Sequence, residues 1–175
     1  MSESGSTSLE RGIAPPGFRL PARTRIGVVR LQVSDLARSL GYYEQVLGFR
    51  TLANSAGTAT LGATNSETPI LELREKPGVR PVPRRGRLGL FHFAILLPDR
   101  PSLGRFVSHL GQIGAQAGMS DHLVSEAIYL RDPDGNGIEI YRDRPREEWP
   151  RDADGSFTMV TDPLDLRALL RELAA

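Results

Sequence analysis

Apolar positions alternate from Ile26 to Val33, with Val29, Leu31 and Val33 on one side and Val28, Arg30 and Gln32 on the other. That period of two predicts a half-buried strand. The period then lengthens: Leu36, Leu40, Tyr43 and Leu47 recur at helical spacing behind a Ser34 or Asp35 cap, and Gly48 supplies a left-handed stop. Three short strands follow at Phe49 to Leu52, Ala59 to Gly62 and Ile70 to Arg74. The segment Glu75 to Gly89 holds three prolines and three glycines and reads as a linker.

The same order then returns. Leu90 to Leu97 is a strand, and Pro101 opens a helix with Leu103, Phe106, Val107, Leu110 and Ile113 as its apolar positions, closed by Gly114. Ala115 to Met119 is a weak strand, and Ser125 to Leu130 and Ile138 to Tyr141 form a hairpin about the turn Asp132-Pro133-Asp134-Gly135-Asn136-Gly137. Each half reads β-α-β-β-β, offset by roughly 64 residues, which predicts an α+β fold made of a duplicated unit. The expected divisions are a flexible leader over 1–22, paired units at about 24–75 and 89–142 within a domain spanning 23–145, and an extension over 146–175. In that extension Asp162-Pro163 is expected to cap a terminal helix carrying Leu166, Leu169, Leu170 and Leu173 on one side.

Composition narrows the chemistry. A net charge of +1 gives no global basic field for nucleic acid or an anionic membrane. Without cysteine, thiolate catalysis, disulfides and Cys-ligated zinc are excluded, so any metal must be held by His, Asp or Glu. No apolar run reaches transmembrane length, and the first residues lack the pattern of a signal peptide, so a cytoplasmic location is the expectation.

The repeat supplies candidate site positions. Aligning the first strands pairs Val28 with His92, and aligning the last strands pairs Glu72 with Glu139. Each lies opposite the larger apolar set of its strand, so two equivalent halves would turn all four towards one cleft. One His with two Glu, or two His if His122 reaches, suits Fe(II), Mn(II), Zn(II) or Ni(II). The plainer readings are a hydrogen-bonded core histidine at His92, a Glu72 paired with Arg74, and a loop histidine at His122. Arg30 and Gln32, on the cavity-facing side, could bind a substrate carboxylate or form an internal ion pair. His109 lies among solvated helix positions.

VSDLARSLGYYEQVLGF resembles the first helix signature of the vicinal oxygen chelate superfamily, the glyoxalase and extradiol dioxygenase fold, and YLRDPDGNGIEIY resembles its closing hairpin. FHFAILLPDRPSLGRFVSHL, SDHLVSEAIYLRDPDGNGIEIYRDRPREEW and TDPLDLRALL are similar to the N-terminal half of two-module bacterial catechol 2,3-dioxygenases, across about residues 18–172. The resemblance implies paired βαβββ units forming a half-barrel cleft around a divalent metal, Fe(II) in extradiol enzymes. Those enzymes carry His, His and Glu at the places of Val28, His92 and Glu139, and this chain departs at Val28. In two-module relatives the complete site lies in the other module. The resemblance also gives Tyr129 and His122 the places of groups that hydrogen-bond a substrate phenolate or assist proton transfer. It implies a small catechol-like substrate, a role in aromatic catabolism, and a homodimer or association with a second such module. Three functions stay open: a metal-dependent extradiol dioxygenase or a component of one, a non-catalytic structural or ligand-binding module, and a glyoxalase-like lyase or isomerase.

Overall fold

The computed structural model describes residues 17–21, 23–80 and 90–173. Most of the leader expected over 1–22 and the later part of the proline-rich linker, 81–89, lie outside the described residues.

Each unit contributes four strands to one sheet, with its first strand placed beside its last, and the terminal extension adds a fifth strand to the second sheet. In the first unit β1 (Val29–Val33) runs parallel to β4 (Pro69–Glu75), followed by β3 (Thr58–Gly62) and β2 (Arg50–Ser55). The second unit repeats the order with β5 (Phe93–Leu96), β8 (Gly137–Asp143), β7 (Ser125–Arg131) and β6 (Gly118–Asp121). The registers correspond as well: Val29 faces Leu71 in one sheet, as Phe93 faces Ile138 in the other. The duplication read from hydrophobic periodicity is therefore present in backbone geometry, as an α+β fold.

Helix α1 (Leu36–Gln45) starts where the Asp35 carboxylate accepts from the Arg38 amide, and α2 (Arg100–Gln112) starts in the same way at Asp99. Their apolar faces and those of the two sheets share one core, including Val33, Tyr43, Leu71, Leu73, Leu103, Leu110, Ile128 and Ile138. Gly48 and Gly114, at the helix ends, take positive φ of 73° and 67°.

The terminal extension departs from expectation. Asp162–Pro163 forms a two-residue strand, β9, against β6, and the cap of α3 (Leu166–Arg171) is Asp165, whose carboxylate accepts from the Ala168 amide. Pairing with an open strand edge satisfies backbone groups that a helix start at this point would leave unpartnered. The apolar stripe is narrower than four leucines: Leu169 is fully buried, while Leu166, Leu170 and Leu173 remain partly exposed. Gly104 permits the contact of α3 with α2, because a Cβ there would lie 3.2 Å from the Leu169 carbonyl oxygen.

Beneath these helices sits Glu126, only 2% exposed and on the core-facing side of β7. Its carboxylate accepts from Arg100 Nε at 2.9 Å and from Arg142 Nε at 2.7 Å. Arg100 also pairs with Glu172, just past α3, and so ties the extension to this cluster. Burial works against ionisation of Glu126, but the hydrogen bonds from Arg100 and Arg142 outweigh it and hold its carboxyl below the ordinary value of 4.5. A carboxyl depressed in this way contributes stability that is complete above its unfolded-state value and is lost as pH falls through the folded one. Unfolding free energies from urea titrations between about pH 3 and about pH 6 should therefore rise with pH. Glu126→Gln should flatten that rise, leaving what is due to Asp121, which Arg144 holds low in the same sense, and to the exposed Asp99 and Asp154. An unchanged slope in the variant would contradict this account.

Candidate functional site

The outward face of the second sheet carries the polar side chains. On β7, Glu126, Ile128 and Leu130 face the helices, so Ala127, Tyr129 and Arg131 face the other way. On β8 the same alternation buries Ile138 and Ile140 and turns Glu139 and Tyr141 outward. Tyr129 lies directly opposite Glu139 in the antiparallel register. The Tyr129 hydroxyl donates to Glu139 Oε1 at 3.0 Å.

Two histidines extend this pair. His92, immediately before β5, places Nε2 at 2.8 Å from Glu139 Oε2. His122, in the loop after β6, places Nε2 at 2.8 Å from the Tyr129 oxygen and Nδ1 at 2.6 Å from the Val160 carbonyl. A carbonyl only accepts, so His122 donates from Nδ1 and presents Nε2 to the phenol. The result is one chain: Val160, His122, Tyr129, Glu139, His92. Closing all four contacts at once takes four protons. Neutral imidazoles, a phenol and an ionised Glu139 supply three, so the arrangement can take up or pass on a single proton. Burial, together with the Glu139 carboxylate, pushes the Tyr129 phenol up to about 12.

A cavity of about 940 Å³ opens over this chain, lined by Phe91, His92, Ser120, His122, Tyr129, Arg131 and Thr161 among others. Thr161 belongs to the terminal extension, so that segment forms part of the wall.

His92 owes its position to a missing side chain. A Cβ on Gly137, at the start of β8, would lie 2.1 Å from the Phe91 carbonyl oxygen and 3.0 Å from His92 Cβ. The backbone before β5 crosses β8 at a distance that excludes every residue with a Cβ. The turn signal at Gly137 was legible in the sequence, but the crossing strand that makes glycine necessary was not.

The structure gathers four of the expected residues, His92, His122, Tyr129 and Glu139. Glu72, Arg30 and Gln32 are placed elsewhere. Glu72 accepts from Arg74 Nε at 2.7 Å and stands 3.4 Å from Arg30 Nε, its register partner on β1. Gln32 is exposed. Val28, just before β1, offers no donor atom. His109 Nε2 meets the Gln45 carbonyl at 2.9 Å, between α2 and the end of α1. Sequence reasoning missed Arg131, which lines the cavity, and Glu126 with its arginines. Glu126 shares its strand face with Ile128 and Leu130, and this alternation is the signal that could have found it.

These donors do not fit a divalent metal. His92 and Glu139 converge, but a three-ligand site needs one more protein donor, and its repeat-related place is Val28. The other repeat-related carboxylate, Glu72, is committed to arginines. Among the described residues no group of three or more His, Asp or Glu side chains gathers at metal-binding spacing.

Paired βαβββ units with a polar cleft on one sheet define the class of protein. Residues 25–140 match the model of the Glyoxalase/Bleomycin resistance protein/Dioxygenase superfamily, and the chain belongs to that superfamily, the vicinal oxygen chelate fold. Over 149 residues it is 46% identical to a Bacillus subtilis (strain 168) protein named catechol-2,3-dioxygenase; the match covers 85% of this chain and 52% of that one. The chain thus spans about half the length of this relative. Among solved structures, a glyoxalase/dioxygenase from Nostoc punctiforme matches 77% of this chain and 99% of its own, with a TM-score of 0.56 at 22% identity. A glyoxylase/bleomycin resistance protein/dioxygenase domain from Frankia sp. EAN1pec matches 69% of this chain and 98% of its own, with a TM-score of 0.57, also at 22% identity. At these identities the two structures speak to the fold. No helix among the described residues is long and apolar enough to cross a membrane.

Gly137→Ala tests how His92 is positioned. The added methyl must displace the backbone at Phe91 and His92, so a stability loss of about 1–3 kcal/mol in urea unfolding is expected. The His92 imidazole resonances should shift while those of His109, on the helix side, stay in place. Unmoved His92 resonances would show that the crossing can relax without affecting the site.

Proposed function

We propose that this module takes a small catechol-type aromatic compound into the cleft over β7 and β8 and holds it by hydrogen bonding, as a metal-free module of an extradiol dioxygenase-like protein of aromatic catabolism. The observation that carries the reading is the chain from His122 through Tyr129 and Glu139 to His92 at the cavity. A catechol presents two adjacent hydroxyls, each able to donate and accept, and can insert into such a chain without leaving a group unpaired. Phe91 supplies an aromatic surface beside it. In this role Tyr129 meets a phenolic oxygen, Glu139 holds Tyr129 and His92 in place beneath it, and His122 holds or releases the proton that balances the chain.

Ring cleavage requires a complete metal site, so under this reading it belongs to a second, different module associated with this one. A soluble, cytoplasmic setting goes with this reading. A second reading, metal-dependent ring cleavage by this module itself, is favoured by the identity to the Bacillus subtilis protein. It would make His92 and Glu139 two of the donors for Fe(II), and it lacks a third.

The two readings separate in one experiment. The purified protein is titrated with catechol in a calorimeter after metal stripping, then loaded anaerobically with Fe(II), desalted, assayed for bound iron and followed for the absorbance of ring-cleaved product. The expected results are catechol binding without metal, weakened by Tyr129→Phe, together with iron well below one per chain and no product. One iron per chain with ring cleavage that disappears in His92→Ala would establish the second reading and sink the first.

A further inference from the structure

Resting on the cleft reading above, we propose that the ligand is a hydroxylated aromatic acid whose carboxylate is held by Arg131 while its ring hydroxyl engages Tyr129. Arg131 brings the one formal positive charge among the residues lining the cavity, and it is exposed there. Elsewhere on the described chain, Arg30, Arg38, Arg50, Arg74, Arg100 and Arg144 each stand within ion-pair distance of a carboxylate. Among the described residues, Arg131 has no such partner. Its recorded contact is a donation from one terminal nitrogen to the Gly135 carbonyl at 2.9 Å, which fixes the guanidinium and leaves its other N–H groups to serve a ligand.

The neighbouring acids are committed in the other direction. Asp132 accepts from Tyr43 and Asn136, and Asp134 from Ser34 and Arg38, all inside the buried turn. The Glu139 carboxylate is covered by His92 and Tyr129. Among its lining residues the cavity therefore presents a cation, histidines and a phenol, but no carboxylate, and this is the electrostatic complement of an anionic ligand.

Spacing selects the aromatic acid. Tyr129 and Arg131 are two residues apart on one strand face, about 6.6 Å along the strand. That is the rise of the backbone; both side chains project from the same face and line the cavity, so a ring carrying a hydroxyl and a carboxylate can meet the pair. Volume points the same way: about 940 Å³ lies near the upper end of small-molecule sites and exceeds the needs of an unsubstituted catechol. A planar guanidinium also matches a carboxylate in bidentate geometry, which a lysine at this place would not.

The test uses three compounds on the full chain by calorimetry: catechol, 3,4-dihydroxybenzoate and its methyl ester. The acid should bind the wild-type protein roughly 10- to 100-fold more tightly than the ester, the range for a charge-assisted contact. Added salt should weaken the acid and spare the ester. Arg131→Gln should bring the acid to the affinity of the ester while leaving the ester unchanged. Should that variant fail to fold, the acid–ester ratio and its salt dependence in the wild type decide alone. Equal affinity of acid and ester in the wild type would overturn the assignment while leaving the cleft reading intact. Failure of all three compounds to bind would overturn the cleft reading and this inference with it.

Discussion

The structure depends on a carboxylate-rich turn of the second unit held inside the first. Asp132 Oδ1 accepts from the amides of Asp134 and Asn136, which closes the turn itself, and Oδ2 accepts from the Tyr43 hydroxyl on α1 at 3.0 Å. Asp134 accepts from the Ser34 amide and hydroxyl and from Arg38, where β1 passes into α1. Both carboxylates are nearly inaccessible to solvent. Burial of a carboxylate is costly unless its lone pairs are filled, and here every donor that fills them comes from the turn or from the other unit. The two repeats are therefore not merely adjacent. The hairpin β7–β8 reaches its low-energy form when the first unit is folded beneath it, and that hairpin carries Tyr129 and Glu139. The aromatic neighbours register the same charge: burial and Asp132 together push the Tyr42 phenol up to about 12, and raise Tyr43 as well.

Equal backbones have acquired unequal chemistry. In the second sheet, the positions of His92 and Glu139 join Tyr129 and His122 in a continuous chain of polar contacts. The first sheet has Val28 and Glu72 at those places, and Glu72 faces two guanidinium groups, from Arg30 beside it on β1 and Arg74 on its own strand. Glu72 is compensated by fixed positive charge, Glu139 by groups that exchange protons. The former suits a static surface; the latter suits recognition of a ligand rich in hydroxyl groups.

Much of this architecture was legible in the residues because it rests on local rules. Alternation marked the strands, and a change of period marked both helices. The equivalence of Val28 with His92 and of Glu72 with Glu139 followed from counting along similar strands, and the observed registers place those residues at matching positions. What could not be read depends on partners distant in sequence. For Glu72 the pairing with Arg74 on its own strand was among the readings, whereas the second guanidinium beside it, from Arg30 on the adjacent strand, was not assigned to it. Asp162-Pro163 had the composition of a helix start, but an open edge on β6 offered it a ladder instead. Gly137 looked like turn chemistry, whereas its decisive neighbour is a carbonyl 46 positions earlier in the chain.

The hydrogen bond from His122 to the Val160 carbonyl has a consequence for the terminal extension. One imidazole edge serves the cleft and the other serves the tail, so the order of the tail and the occupancy of the cleft share a residue. Any ligand that needs His122 in its present orientation favours a docked tail, and by thermodynamic reciprocity a docked tail favours that ligand to the same degree. Under the ligand-binding reading the extension becomes an internal reporter: protection of its amides from solvent exchange would track, from outside the cavity, how full the cavity is.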